Sequence, residues 1–215
     1  MPASTNKSPL LPEGRLAAAR TTSPSPELLL LLPASAQTGW GESAASLIHY
    51  FSTELGADLL VVDARFPDQA GHDGGRPGFA EIVAGAAPVS ACVQNAGTYW
   101  RIGPGSSAVD TPLRQLTEQC AAAVAALSGV REIVLILAPP LDTAKVGQVL
   151  AGLVDRVLVL TASRVTLQSR LNDTRAALTA ARARRVEVLL REDPSWLALK
   201  FRRCTAWLRS RRVSA

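Results

Sequence analysis

A strand-like apolar run, Leu28 to Leu32, leads into Pro33-Ala34-Ser35-Ala36-Gln37-Thr38-Gly39-Trp40-Gly41-Glu42-Ser43, and then into helical periodicity. A glycine-rich loop between a buried strand and a helix can hold an anion, because its backbone N–H groups and the helix N-terminus converge on one point. Phosphate chemistry at such a loop also needs a lysine to neutralise charge and a Ser or Thr hydroxyl to hold Mg²⁺. The stretch Gly41-Glu42-Ser43 keeps the glycine and the hydroxyl but carries a carboxylate where the lysine belongs. Alone, this G-x-G-x-S pattern is a weak signal, since any strand-to-helix loop can look the same. Its place after the first buried strand strengthens it.

The elements that would position this loop are legible along the chain. Apolar runs recur at Leu59–Val62, Ile133–Leu137 and Val157–Leu160, with a weaker one at Val186–Leu190. Their lack of polar alternation marks strands buried on both faces. Helical stretches are predicted at Ser43–Leu55, Pro112–Leu127, Ala144–Leu153 and Thr166–Ala183. Strands alternating with helices imply right-handed crossovers. The expected fold is therefore α/β: three layers, a mostly parallel sheet with helices on both faces. A longer interval separates the second and third main runs. It holds a glycine-rich loop (Gly71, Gly74, Gly75, Gly78), a short helical piece Phe79–Ala84 and an extended piece Tyr99–Ile102.

Composition agrees. The 215 residues suit one domain with tails, and 47% are hydrophobic while only 5% are aromatic, so aliphatic side chains must do the packing. Residues 1–26 are rich in Pro, Ser, Thr and Ala and read as a disordered leader, with a short helical stretch around Leu16 to Arg20. Residues 27–193 form the domain and 194–215 a basic tail. Cys92, Cys120 and Cys204 are isolated, and with His49 and His72 they offer no metal-ligand spacing. No run is long enough to cross a bilayer and the N-terminus lacks a secretory pattern, so the expected location is the cytoplasm.

Several stretches, taken in order, resemble the cytoplasmic P-loop domain of bacterial tyrosine kinases and polysaccharide co-polymerases, relatives of the deviant-Walker partitioning and division-site ATPases. Leu59-Leu60-Val61-Val62-Asp63-Ala64-Arg65 is similar to that family's second acidic strand, L-L-I-D-A-D. Gly78 through Pro88 resembles its G-L-x-x-x-L-x-G segment, and Ile102-Gly103-Pro104-Gly105 the strand end that follows. Ile133 through Pro140 is similar to V-I-I-D-T-P-P, and Leu153 through Leu160 to A-D-x-V-L-L-V-V. The resemblance spans roughly residues 28–190.

The departures from that pattern bear on chemistry. The resemblance places the phosphate lysine at Glu42, the second Asp of the acidic strand at Arg65 and the third-strand Asp at Leu137, while Asp63 remains. In the family these carboxylates organise Mg²⁺ and the attacking group. A carboxylate facing a triphosphate costs several kcal/mol, and phosphoryl transfer relies mainly on electrostatic stabilisation. The resemblance thus implies a degenerate nucleotide site at Gly39, Trp40, Gly41, Glu42, Ser43, Asp63, Arg65 and Leu137, with no catalytic residue, no metal and no cofactor expected. Glu42 and Arg65 are expected to approach each other across it. Trp40 either plugs the cleft or is an exposed loop aromatic. The family's C-terminal tyrosine cluster is missing, since the only tyrosines are Tyr50 and Tyr99.

The net charge of +5 gathers in the last third. Ser195 can cap a helix to about Arg209, with Leu197, Phe201, Cys204 and Leu208 on one face. Phe201, Arg202, Arg203, Trp207, Arg209, Arg211 and Arg212 make it basic and amphipathic. Either its apolar face docks on the domain, or it meets a membrane surface or partner. The first expectation is a non-enzymatic regulatory or scaffold protein in bacterial exopolysaccharide or capsule synthesis and export, a pathway implied by the resemblance alone. Its partners would be a polysaccharide co-polymerase, an active kinase paralogue or a second copy, with contact at the inner membrane face. Two alternatives are a weak Mg-ATP-dependent enzyme using Asp63 and Ser43, and a partition-like protein binding DNA through the tail. No recognition-helix motif or interleaved aromatics support nucleic acid.

Overall fold

The computed structural model describes residues 26–35, 40–65, 75–106, 112–162 and 168–191. In chain order the elements are β1 (Glu27–Pro33), α1 (Trp40–His49), β2 (Leu59–Asp63), α2 (Phe79–Val83), α3 (Val89–Cys92), β3 (Gln94–Asn95), β4 (Trp100–Ile102), α4 (Leu113–Leu127), β5 (Ile133–Leu137), α5 (Lys145–Ala151), β6 (Arg156–Ala162), α6 (Gln168–Ala180) and β7 (Val186–Arg191). The strands form one sheet in the order β3-β4-β2-β5-β1-β6-β7. All neighbours are parallel except β3 with β4. The predicted mostly parallel sheet with helices on both faces is what forms.

The unbroken apolar runs are explained by two separate cores, one on each face. Leu28, Leu30, Leu32, Leu60, Val62, Val134, Ile136, Val157 and Val159 pack under α2, α4, α5 and α6, with Leu116, Cys120, Leu127, Leu150 and Leu178 among the contacts. The alternate residues Leu29, Leu31, Leu59, Val61, Leu135, Leu137, Leu158 and Leu160 share the other face with Ala44, Leu47 and Phe51. Side chains alternate along a strand, so a strand covered on both faces must be apolar at every position. Leu30 to Leu32 are fully buried.

Three differences from the sequence expectation have local causes. The first helix begins at Trp40, three residues early, and continues past His49 as a π-helical turn, Tyr50–Glu54. The wider turn is visible in the Leu55 N–H reaching the Tyr50 carbonyl at 3.0 Å, and it buries Phe51. The small elements α3 and β3 were not foreseen, being four and two residues long and too short to carry a period. The helix α5 is shorter than expected, at Lys145–Ala151, and α6 ends at Ala180 rather than Ala183. The residues expected to form the leader (1–25 of them) and the basic tail lie outside the described residues.

The amino ends of the strands are tied by charge. Arg156 is buried and bridges Glu27 of β1 at 3.3 Å and Glu187 of β7 at 2.7 Å. Beside it, the Leu28 N–H donates to Asp155 Oδ2 at 3.0 Å. At the opposite edge, the Arg131 guanidinium stacks over the Trp100 ring, 4.7 Å from its centroid.

Candidate functional site

Register assembles the site. Pairing of β2 with β5 sets Asp63 beside Leu137, and pairing of β1 with β5 sets Leu31 on the other side of Leu137. The carboxyl ends of β2, β5 and β1 therefore converge where β1 turns into α1. In an open parallel sheet this is where ligands bind. The predicted positions of the three motifs are thus brought together by topology.

Asp63 ends β2 and Arg65 follows two residues later. The Arg65 backbone N–H donates to Asp63 Oδ1 at 3.1 Å, closing a local turn. Arg65 Nε donates to the same oxygen at 2.8 Å, and its Nη2 to Oδ2 at 2.6 Å. This is the bidentate geometry in which guanidinium and carboxylate bind most strongly. The side chains are 31% and 16% exposed, so the pair sits at the mouth of the site rather than in bulk water. The carboxylate that meets both edges of the guanidinium is Asp63. Two residues of separation let the guanidinium fold back on its own strand end.

Glu42 is exposed in the first turn of α1, where a negative charge is favoured by the helix dipole. Ser43 is buried. Leu137 is buried at the end of β5, so the third-strand position presents a hydrocarbon wall. Gly39 and the Trp40 side chain lie outside the described residues, as do Phe201, Arg202, Arg203, Trp207, Arg209, Arg211 and Arg212 of the tail. The plug expected from Trp40 is therefore not placed.

Gly41, Arg65 and Leu137 line one cavity of about 440 Å³. The rest of its wall was not foreseen from sequence: Ala44, Ala45, Ile48, His49 and Ser52 along α1 and its π-helical end, and Thr98 and Tyr99 before β4. A signal for the helical part was present, since Ala45, His49 and Ser52 recur at spacings of four and three. The lining is mainly apolar, with the Arg65 guanidinium, the His49 imidazole and the hydroxyls of Ser52, Thr98 and Tyr99 among it. Among the described residues no three His, Cys, Asp or Glu side chains come together in a metal-binding group. A Mg²⁺ ion needs oxygen ligands near octahedral geometry. The one carboxylate retained from the acidic motifs, Asp63, has both oxygens engaged by Arg65.

A second carboxylate holds the backbone after β4. Glu81 is buried, and its Oε2 accepts from the Gly78 N–H at 2.7 Å. Its Oε1 accepts from the Ser106 N–H at 2.9 Å and the Ser106 hydroxyl at 3.0 Å. The Gly103 and Pro104 carbonyls in turn accept from the N–H groups of Phe79 and Ala80. The strand end after β4 is thereby locked onto the start of α2. Glycine is required in both partners: a side chain on Gly78 would strike the Gly103 carbonyl, and Gly105 has φ +94°.

Solved structures with this architecture place the fold. The kinase domain of Escherichia coli tyrosine kinase ETK matches 81% of this chain and 70% of its own, with TM-score 0.66 and 14% identity. The kinase domain of VpsO matches 81% of this chain and 89% of its own, with TM-score 0.63 and 20% identity. The ParA family ATPase from Chlorobium tepidum TLS matches 77% and 73%, with TM-score 0.56 and 15% identity. The fold is that of the bacterial tyrosine-kinase domains and the deviant-Walker ATPases. No protein-family model and no curated protein matches the sequence. At this level of identity the likeness speaks for the fold, and the site must be judged by its own residues.

Proposed function

We propose that the chain is a non-catalytic member of this fold group, acting as a regulatory or scaffold protein in bacterial exopolysaccharide or capsule synthesis and export. The observation that carries the reading is the clasp of Asp63 by Arg65 beside the apolar Leu137. A phosphoryl-transfer site stabilises developing negative charge with cations and a coordinated metal. Here the third-strand oxygen ligand is replaced by hydrocarbon, the remaining carboxylate is neutralised, and Glu42 occupies the lysine position. The similarity to tyrosine-kinase domains supports a place alongside such kinases, and the pathway rests on the family resemblance. Partners would be a polysaccharide co-polymerase, an active kinase paralogue or a second copy, near the inner face of the membrane. No helix among the described residues is long and apolar enough to cross a membrane.

Calorimetric titration with Mg-ATP and Mg-ADP tests this, with Glu42→Lys run in parallel. The expected result is no binding heat from the wild-type chain. Binding at about micromolar strength would overturn the reading and direct the work to phosphotransfer or hydrolysis.

A further inference from the structure

The sheet has an open edge whose residues match themselves. β7 pairs with β6 on one side, and among the described residues no strand pairs with it on the other. The Arg185 carbonyl accepts from the Val157 N–H at 2.8 Å, and the Leu189 carbonyl accepts from the Thr161 hydroxyl at 3.2 Å. Residues 185, 187, 189 and 191 therefore turn their backbone groups toward β6. By alternation, the N–H and C=O groups of Val186, Val188 and Leu190 face outward. Val186 and Val188 are also 42% and 44% exposed, two of the large hydrophobic side chains left most open among the described residues. An open edge with exposed apolar side chains is a template for another strand.

We propose that two copies of this chain pair antiparallel through β7, about a two-fold axis at Leu189. A two-fold pairing must set outward groups against outward groups, so the axis passes through a residue and not between two. Centring on Glu187 sets that carboxylate against its own copy. Centring on Val188 sets Arg185 against Arg191, also like charges. Centring on Leu189 sets Glu187 opposite Arg191 twice, and Val188 opposite Leu190 twice. Opposite charges across a strand pair attract and like charges repel, so charge disfavours the Glu187- and Val188-centred registers and favours this one, which also overlaps more of β7 than an axis nearer its start. The two pairs of Val188 with Leu190 exchange about four backbone hydrogen bonds and cover the exposed Val188. Glu187 is already fixed in place by Arg156 at 2.7 Å, which keeps its carboxylate on the right face. A single strand pair is a small interface, so a weak, concentration-dependent dimer is expected.

Sedimentation of the purified full chain, at concentrations up to about 100 μM, reads the association. A reversible monomer–dimer equilibrium is expected. Val188→Pro removes an outward N–H that β6 does not use, so it should leave a monomer with unchanged circular dichroism. Arg191→Glu sets like charges opposite Glu187 and should weaken dimerisation about tenfold. Should Val188→Pro fail to fold, Arg191→Glu decides alone. A chain that stays monomeric throughout, or a dimer that a folded Val188→Pro or Arg191→Glu leaves untouched, overturns the proposal.

Discussion

Arg65 donates to both carboxylate oxygens of Asp63 from two residues further along the chain, at 2.8 and 2.6 Å, with a third bond from its own backbone N–H. The pair stands at the carboxyl end of β2, against the buried Leu137. Arg65→Ala should reduce stability by only about 1 kcal/mol, because the pair is partly exposed and screened. Urea denaturation of the two proteins checks this. A loss several times larger would mean that the arginine holds more of the fold than its clasp on Asp63.

Glu81 should matter more. It is buried and accepts from two backbone N–H groups and one hydroxyl. Glu81→Ala strips the partner from those donors, and a loss of about 3 kcal/mol is expected. Equilibrium unfolding in urea measures it, and a change under about 1 kcal/mol would show that water replaces the carboxylate without cost.

Gly105→Ala tests the same clamp from the other side. The φ of +94° is disfavoured for alanine, and the new methyl would meet the Glu81 carboxylate. Destabilisation of about 2 kcal/mol or more is expected from thermal melts. Gly129 also has a positive φ, of +88°, but open space around it. Gly129→Ala should therefore cost less than Gly105→Ala, which isolates the steric part.

Arg156 neutralises two carboxylates while almost fully buried. Arg156→Ala would leave Glu27 and Glu187 facing each other without their shared cation, at a cost of about 3 kcal/mol. The loss should appear as a lower urea midpoint. An unchanged midpoint would place the pair of glutamates in water rather than in the sheet.

Burial raises the Cys120 thiol from its ordinary 9.0 to about 12, and burial followed by the nearby Glu81 charge raises Cys92 as well. The folded Cys120 keeps its proton up to about 12, while the unfolded one loses it near 9.0. Its contribution is thus full below pH 9 and is lost as pH climbs toward 12. Cys120→Ser should flatten the alkaline limb of the stability profile relative to wild type. Cys92 and Cys120 should also resist thiol reagents at neutral pH until the chain unfolds.

Much of this was readable from sequence, for reasons tied to burial. Runs such as Leu28–Leu32 and Ile133–Leu137 are apolar at every position because both faces are covered, and their length of about five residues suits a strand rather than a helix. The order of the motifs along the chain also pointed to one end of the sheet, since parallel pairing brings strand ends together regardless of loop length. What escaped was set by tertiary contact. Gln94–Asn95 joins the sheet only because β4 offers an edge. The Asp63–Arg65 pair depends on side-chain reach: the sequence points Arg65 toward Glu42 and does not foresee its grip on Asp63. Thr98 and Tyr99 stand just before β4, where the sequence points to an extended piece at Tyr99–Ile102 but not to a wall of the cavity.

The Asp63–Arg65 clasp has one more consequence, in contact order. A carboxylate balanced by a bound cation is balanced only while the ligand is present, and such a protein's melting point tracks ligand concentration. A carboxylate balanced by an arginine two residues away needs no long loop to close and no small molecule to arrive. Here the Asp63 carboxylate is balanced from within the chain, by a contact that spans only two residues.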